Sequence, residues 1–246
     1  TELTSLVIVE ATLLGSTATG EQSRLHVWDL ESGEKLQEEP CPIIGARIIS
    51  IKTFKYCEDI LVVCGTDGES RSGKGNRVVS IYSLKLLDFH PFITSGLTDE
   101  FVSAMHKHCI LIYDKFKLTI HNYLTRKKLL SIQELNLSRV EMVDSGMIFL
   151  GQTLNMFIFN TSTFAVNILE FPDFSFLKPL CGNFVRIQYE ESELPTEVLE
   201  VGSSLKKVNI VLPKQEDTVL PNRTCTNIVV KEDFWGKLIV SVKRFW

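Results

Sequence analysis

The feature that most limits how this chain can fold is a recurring hairpin pattern. In residues 24–37, Leu25 and Val27 alternate with polar side chains, and a turn-forming stretch then ends in Gly33. Gly33 can adopt a positive φ without steric cost, so the chain can reverse there and return as a second strand. Segments of the same form recur at residues 76–92, 117–133, 155–171 and 206–221, with a partial unit at 237–246. The pattern predicts an all-β protein.

Each hairpin follows other strand-like runs. Apolar runs that end in a small or polar residue lie at residues 60–66, 109–116, 147–154 and 198–205, and earlier strands are predicted at 47–54 and 100–106. The centres of equivalent strands lie 38 to 54 residues apart, at Trp28, Tyr82, His121, Phe159 and Ile210. Four strands in about 40–45 residues are typical of a propeller blade. We therefore expect a β-propeller of six or seven four-stranded blades, with a β-sandwich as the alternative.

The apolar runs are continuous, which predicts strands buried on both faces. Residues 4–16 are expected to supply strands that either close the ring or belong to the blade of Trp28. We predict that residues 1–246 form a single β-propeller domain. Because the sequence has no initiating Met, we expect this domain to be part of a larger protein.

One segment resembles a known repeat. Residues 24–36, RLHVWDLESGEKL, are similar to the end of a WD40 repeat and include its Trp28–Asp29 dipeptide. The other units have Tyr82–Ser83, Asn122–Tyr123 and Asn160–Thr161 near that place, and the glycine–histidine dipeptide of regular repeats is absent. The resemblance implies a divergent WD40-like β-propeller.

A second resemblance covers residues 45–160. Gly65–Thr66 at the end of one apolar run and Asn76–Arg77–Val78 at the start of the next are separated by a polar loop. This arrangement resembles the propellers in the large subunits of the damaged-DNA-binding complex and of the cleavage and polyadenylation factor. The resemblance implies a nuclear scaffold in ubiquitin ligation, DNA repair or RNA processing.

Composition favours an intracellular protein without a membrane segment. The net charge of −4 gives no general affinity for nucleic acid, although Arg126, Lys127 and Lys128 form a local basic patch. No apolar run reaches the roughly 20 residues that span a bilayer. The six cysteines are scattered, several within apolar runs, which favours free thiols in a reducing compartment, nuclear or cytoplasmic.

The motifs that could carry chemistry are incomplete. Residues 68–75 nearly spell a phosphate-binding loop, but Gly75 stands where that loop has Ser or Thr, and a strand is predicted to follow. His106, His108 and Cys109 are metal-ligand types, and His106 and His108 would share one face of a strand, but a second ligand pair is not evident. The carboxylates of residues 189–197 are typical of a solvated loop. We predict no catalytic residue, no metal site and no cofactor.

The remaining candidates are aromatic. Residues 169–177 do not follow the alternation of apolar and polar residues that is typical of a strand. We therefore expect Phe171, Phe174 and Phe176 either to pack beneath a loop or to dock a partner. Trp235 and Trp246 have the same two interpretations. Together with the basic patch, these five residues are the predicted partner-binding set. The predicted function is a non-catalytic adaptor that binds other proteins in a larger complex; a propeller-framed hydrolase and a nucleic-acid-binding module are the alternatives.

Overall fold

Every regular element that the structure describes is a β-strand. The structure, a computed structural model, describes residues 2–19, 22–66, 76–151, 155–170, 174–180, 182–189, 197–201, 206–208, 226–232 and 238–244. The strands of these residues form five four-stranded antiparallel sheets and one two-stranded sheet. Chain contacts divide the molecule into two compact units, Thr1–Leu135 and Asn136–Trp246.

The first unit contains three sheets, each a meander in which neighbouring strands are consecutive in the chain. The strands of the first sheet are β1 (Glu2–Val9), β2 (Thr12–Thr19), β3 (Gln22–Asp29) and β4 (Lys35–Pro40). Those of the second are β5 (Ala46–Lys52), β6 (Asp59–Thr66), β7 (Asn76–Ser83) and β8 (Asp88–Leu97). Those of the third are β9 (Val102–His106), β10 (Cys109–Asp114), β11 (Lys117–Asn122) and β12 (Lys127–Ile132).

The second unit repeats the meander. Its first four-stranded sheet contains β13 (Leu137–Val143), β14 (Gly146–Gly151), β15 (Asn155–Asn160) and β16 (Val166–Glu170). Its second contains β17 (Phe174–Pro179), β18 (Phe184–Tyr189), β19 (Glu197–Glu200) and β20 (Lys206–Val208). A pair of strands follows, β21 (Thr226–Glu232) and β22 (Leu238–Arg244).

Strand β6 shows why the apolar runs of the sequence are continuous. Ile60, Val62 and Cys64 belong to the core shared with the first sheet. The alternate residues Leu61 and Val63 belong to the core shared with the third sheet. Because successive side chains of a strand point to opposite faces, a strand between two packed sheets must be apolar at every position. Each such side chain contributes about 1.5–3 kcal/mol through burial.

The second unit is built by the same rule. Ile148 and Leu150 of β14 pack with Ile158 of β15 and with Leu177 and Ile187 of the following sheet. On the opposite face, the rings of two phenylalanines of neighbouring strands stack with centroids 5.1 Å apart. Packing of one sheet against the next is therefore also seen within the second unit.

The predicted fold class is confirmed: the chain is an all-β, WD40-like β-propeller of four-stranded blades. The described residues form five four-stranded sheets and one pair of strands, so the expected number of six or seven four-stranded blades stays a prediction. Strand β1 hydrogen-bonds to β2, and β2 hydrogen-bonds to β3, so residues 4–16 belong to the blade of Trp28. Gly65 pairs with Arg77 and Thr66 with Asn76, so the two strands of the second resemblance are neighbours in one sheet. That residues 1–246 make a single domain stays a prediction.

The third and fourth strands of four blades are joined by turns with a shared design. Each turn begins after a polar residue whose side-chain oxygen accepts a hydrogen bond from a backbone N–H two or three residues ahead. These residues are Asp29, Ser83, Asn122 and Asn160. The residue four positions later has a positive φ in every case, and these are Gly33 (φ 71°), Leu87 (52°), Arg126 (57°) and Phe164 (58°).

The turn design defines the true equivalents of the Trp28–Asp29 dipeptide. They are Tyr82–Ser83, His121–Asn122 and Phe159–Asn160, each ending its strand. In the third and fourth blades the structural match therefore lies one residue earlier than the sequence resemblance placed it.

Candidate functional site

The predicted basic patch lies on a turn at one end of the third sheet. Arg126 closes the turn between β11 and β12, and Lys127 and Lys128 begin β12. All three side chains are exposed, and no carboxylate of the described residues forms an ion pair with them. The three cations are therefore exposed on the surface, and their role in binding a partner stays a prediction.

The turn is held in place by the buried ring of Tyr123. Its backbone N–H donates to the carbonyl oxygen of His108 at 3.1 Å. Its hydroxyl donates to Oδ2 of Asp59, 2.5 Å away at the start of β6 in the neighbouring sheet. Tyr123 is only 2% exposed, so its ring enters the core between the second and third sheets. A residue of the turn itself therefore fixes the turn to the next blade.

His90 completes this contact, and Tyr123, Asp59 and His90 are here called the tyrosine anchor. Nε2 of His90 lies 3.1 Å from the same Asp59 oxygen, and the His90 and Tyr123 rings are 5.3 Å apart. Both Asp59 and His90 have side chains that are 12% exposed. Burial, followed by the hydrogen bond to Asp59, raises the pKa of Tyr123 well above its ordinary value. The phenol therefore remains a neutral donor to a carboxylate across the physiological pH range.

Other exposed residues lie at the same end of these two sheets. The turn between β7 and β8 presents Lys85 and Leu86, and Leu86 is 68% exposed. The turn between β9 and β10 presents Lys107, whose backbone N–H donates to the carbonyl oxygen of Tyr56. Leu124, 48% exposed, precedes Arg126 in the anchored turn. We call the group formed by Lys85, Leu86, Lys107, Leu124, Arg126, Lys127 and Lys128 the turn surface.

The charge of this end is predominantly positive. Lys55 adds a further exposed cation, while the exposed carboxylates of this end are Glu58 and Asp88. Asp59 is mostly buried in the tyrosine anchor and contributes little to the surface. Apolar side chains between cations suit a partner that carries both acidic and apolar side chains.

The predicted aromatic contacts lie mostly outside the described residues. Phe171, Trp235 and Trp246 are outside them, as is the loop at residues 68–75. Phe174 and Phe176 lie in β17, where the pairing with β18 shifts register between them. A register shift of this kind, in which one strand gains a residue, explains why strand alternation fits this segment poorly. Their role in binding stays a prediction.

The expectation that His106 and His108 share a strand face is wrong. His106 ends β9, His108 lies in the turn, and Cys109 begins β10 opposite His106. His106 is fully buried and His108 is exposed, because the chain reverses between them. Among the described residues, no three histidine, cysteine or acidic side chains are placed to hold a metal ion.

The sequence pattern did not predict the tyrosine anchor, because Asp59 and Tyr123 are 64 positions apart in the chain. The signal that could have located the turn is a polar residue directly after an apolar strand, as at Asn122. A carboxylate at the start of a fully apolar strand, as at Asp59, was the other available sign.

Solved structures similar to this chain are propeller proteins. Hsv2 from Kluyveromyces lactis is 11% identical with a TM-score of 0.48, over 98% of this chain and 71% of that chain. Residues 644–1017 of HIRA are 14% identical with a TM-score of 0.42, over 64% and 51%. BamB from Moraxella catarrhalis is 11% identical with a TM-score of 0.39, over 75% and 55%. At these values the similarity concerns the fold and transfers no functional residue.

No protein-family model matches the chain, and no curated protein matches it in sequence. The resemblance to the two large nuclear subunits therefore stays an interpretation of the residues that carry it. In the part of the chain that is described, no helix is long and apolar enough to cross a membrane.

Proposed function

We propose that the chain is a non-catalytic protein-interaction scaffold that binds its partner through the turn surface. The observation that carries this proposal is the combination of an exposed apolar and basic turn with a buried anchor beneath it. Binding loses less conformational entropy when the contact residues are already fixed, and Tyr123 fixes the turn before any partner arrives.

The composition of the turn surface indicates the kind of partner. Leu86 and Leu124 offer apolar area, and Lys85, Arg126 and Lys127 surround it with positive charge. An acidic protein segment with one or two large apolar side chains matches both properties. Nucleic acid is the less suitable partner, because exposed leucines gain little from a phosphate backbone.

The tyrosine anchor also argues against hydrolysis at this end of the sheets. Asp59 and His90 are acid–base side chains that contact Tyr123, and each also contacts the other. They are mostly buried and hold Tyr123, so they do not face an open cleft.

The proposed location is the nucleus or the cytoplasm. This is supported by the free thiols of Cys41, Cys57, Cys64 and Cys109, which are typical of a reducing compartment. Phe171, Phe174, Phe176, Trp235 and Trp246 remain proposed additional contacts.

Affinity capture with matched charge variants tests the proposal. The test variant is Arg126→Glu/Lys127→Glu, and the control is Lys115→Glu/Lys117→Glu, which reverses the same number of charges at the opposite end of the same sheet. We expect the wild type and the control to retain a stoichiometric protein partner after nuclease treatment, and the test variant to lose it.

Three outcomes contradict the proposal. Equal loss in both variants would show that binding follows net charge and not the turn surface. Capture that disappears with nuclease would favour the nucleic-acid alternative. Turnover in a broad hydrolase screen that is abolished by Asp59→Asn would favour an enzyme.

A further inference from the structure

A small cavity lies where the first sheet passes into the second. It encloses about 210 Å³ and is lined in part by the loop between β4 and β5, from Cys41 to Gly45. Cys41 is partly exposed on its wall, and Ile44 at the loop tip is completely exposed. Since a water molecule occupies roughly 30 Å³ in the liquid, the cavity admits a molecule the size of a small oxidant.

A second thiol lies directly behind the first. Sγ of Cys41 is 3.5 Å from Sγ of Cys64, which is fully buried in β6. The backbone N–H of Cys41 donates to the carbonyl oxygen of Ser23 at 2.8 Å, so the loop is held while the sulfur atoms are in contact. Both cysteines are free thiols.

The two thiols differ in acidity and in exposure. When Cys41 loses its proton, the S–H of Cys64 can donate to the sulfur anion, and this lowers the pKa of Cys41 to about 7. The same contact and burial raise the pKa of Cys64 above its ordinary value. Cys41 is accessible from the cavity, whereas Cys64 is fully buried and does not line it.

We propose that Cys41 and Cys64 are a redox modification site that reacts with peroxide and closes to a disulfide. The thiolate of Cys41 attacks one peroxide oxygen, an S–O bond forms, the O–O bond breaks, and the leaving hydroxide takes a proton to become water. The sulfur of Cys64 then attacks Cys41, the S–S bond forms, and the S–O bond breaks. The departing hydroxide takes the Cys64 proton as a second water, so two thiols are oxidised and one peroxide is reduced.

The disulfide has a structural consequence that is independent of the turn surface. It joins the loop that carries Ile44 to the central strand of the second sheet, and the sulfur atoms must approach from 3.5 Å to bonding distance, about 2.05 Å. The loop moves with Cys41, so oxidation changes the surface around Ile43 and Ile44.

The test is peroxide treatment of the intact chain followed by peptide mapping. Trypsin leaves Cys57 and Cys64 together in residues 56–71, so a second cleavage after Glu58 is needed to separate them. We expect a Cys41–Cys64 disulfide with the loss of two hydrogens, reversed by dithiothreitol. In Cys64→Ala we expect a cyclic diketone, which labels sulfenic acid, to accumulate on Cys41. The control Cys57→Ala should behave as the wild type.

The proposal is overturned if peroxide leaves both thiols reduced, or if the first disulfide joins other cysteines. It is also overturned if sulfenic acid persists on Cys41 in the wild type to the same extent as in Cys64→Ala. The wild-type peptide map decides the matter even if Cys64→Ala does not fold. Loss of partner binding by the turn-surface variant has no bearing on either result.

Discussion

The hydroxyl of Tyr123 donates a hydrogen bond to Oδ2 of Asp59 across 2.5 Å and so joins the third sheet to the second. Tyr123→Phe keeps the ring and removes the donor. Because a buried hydrogen bond to a charged group is worth about 1.5–3 kcal/mol, we expect a fall of that size in the free energy of urea unfolding.

Tyr82→Phe is the matched control for this substitution. Tyr82 is also fully buried, but none of the described residues accepts a hydrogen bond from its hydroxyl. Removing a buried polar atom that lacks a partner costs nothing in hydrogen bonding, so Tyr82→Phe should be neutral or stabilising. Equal losses in the two variants would show that the hydrogen bond to Asp59 is not the source of the effect.

The tyrosine anchor also predicts how stability depends on alkaline pH. Burial raises the pKa of Tyr123 in the folded state, whereas the unfolded phenol ionises near its ordinary value of about 10. The stability that the neutral phenol contributes is therefore complete below about pH 10. It is lost as the pH rises from about 10 to the pKa of Tyr123 in the folded state. The urea midpoint of the wild type should fall more steeply between about pH 9 and about pH 11 than that of Tyr123→Phe. Parallel curves would contradict the assignment.

The strand pattern was readable from the sequence because it is local. The run from Ile60 to Cys64 is apolar at every position, and only a strand packed on both faces requires this. The turn after Asp29 was equally readable, since Gly33 marks a positive φ. Leu87, Arg126 and Phe164 adopt the same conformation without glycine, so their turns share a geometry that residue type does not reveal.

The contacts that build the candidate site could not be predicted in this way. Tyr123 reaches Asp59 because two blades pack face to face, and Cys41 reaches Cys64 across the passage from the first blade to the second. Each pairing depends on the register and the packing distance of separate sheets. The spacing of apolar residues specifies which face of a strand is buried. It does not specify which polar residue of the next sheet lies against that face.

Phe164 offers a direct test of the shared turn geometry. It lies at φ 58°, is 47% exposed, and donates its backbone N–H to the carbonyl oxygen of Asn160. Phe164→Gly and Phe164→Ala both remove the ring, so their difference reports the backbone alone. Since a Cβ is strained in this region, we expect the Gly variant to be more stable than the Ala variant by about 1 kcal/mol in urea unfolding.

Ile168 in the following strand provides the control. It is 61% exposed in extended β16, where Gly is ordinarily less favourable than Ala. Ile168→Ala should therefore be more stable than Ile168→Gly, the reverse of the order at Phe164. The same order at both positions would exclude a left-handed backbone at Phe164.

The first turn predicts a loss of stability in acid. Hydrogen bonds from the backbone N–H and the hydroxyl of Ser32 lower the pKa of Asp29 below its ordinary value. A carboxylate with a lowered folded pKa contributes stability above its unfolded pKa of about 3.9, and this is lost as the pH falls. Asp29→Asn keeps an oxygen acceptor that does not ionise, so its stability should change less between about pH 5 and about pH 3. Fluorescence of the adjacent Trp28 monitors the unfolding, and identical acid profiles would count against the turn's role.

The thiol pair predicts a distinct reactivity profile. The pKa of Cys41 is lowered to about 7, chiefly by the contact with Cys64, while burial raises the pKa of Cys57 to about 12 and of Cys109 to about 11. Because the thiolate is the reactive form, alkylation by iodoacetamide should half-saturate near pH 7 at Cys41 and remain slow at the other two cysteines. Mass spectrometry of the digested protein measures each rate.

The groups around Cys41 determine which substitution tests this profile. Cys64 faces it from β6, Arg24 lines the same cavity from β3 with its guanidinium 2.9 Å from Glu38, and Tyr82 belongs to the same core. Burial raises the pKa of Tyr82, so its phenol stays neutral throughout the titration. Cys64 is therefore the group whose removal should change the pKa of Cys41. Cys64→Ala should move the Cys41 midpoint upward, whereas Cys109→Ala should leave it unchanged. An unmoved midpoint in Cys64→Ala would mean that another group activates Cys41.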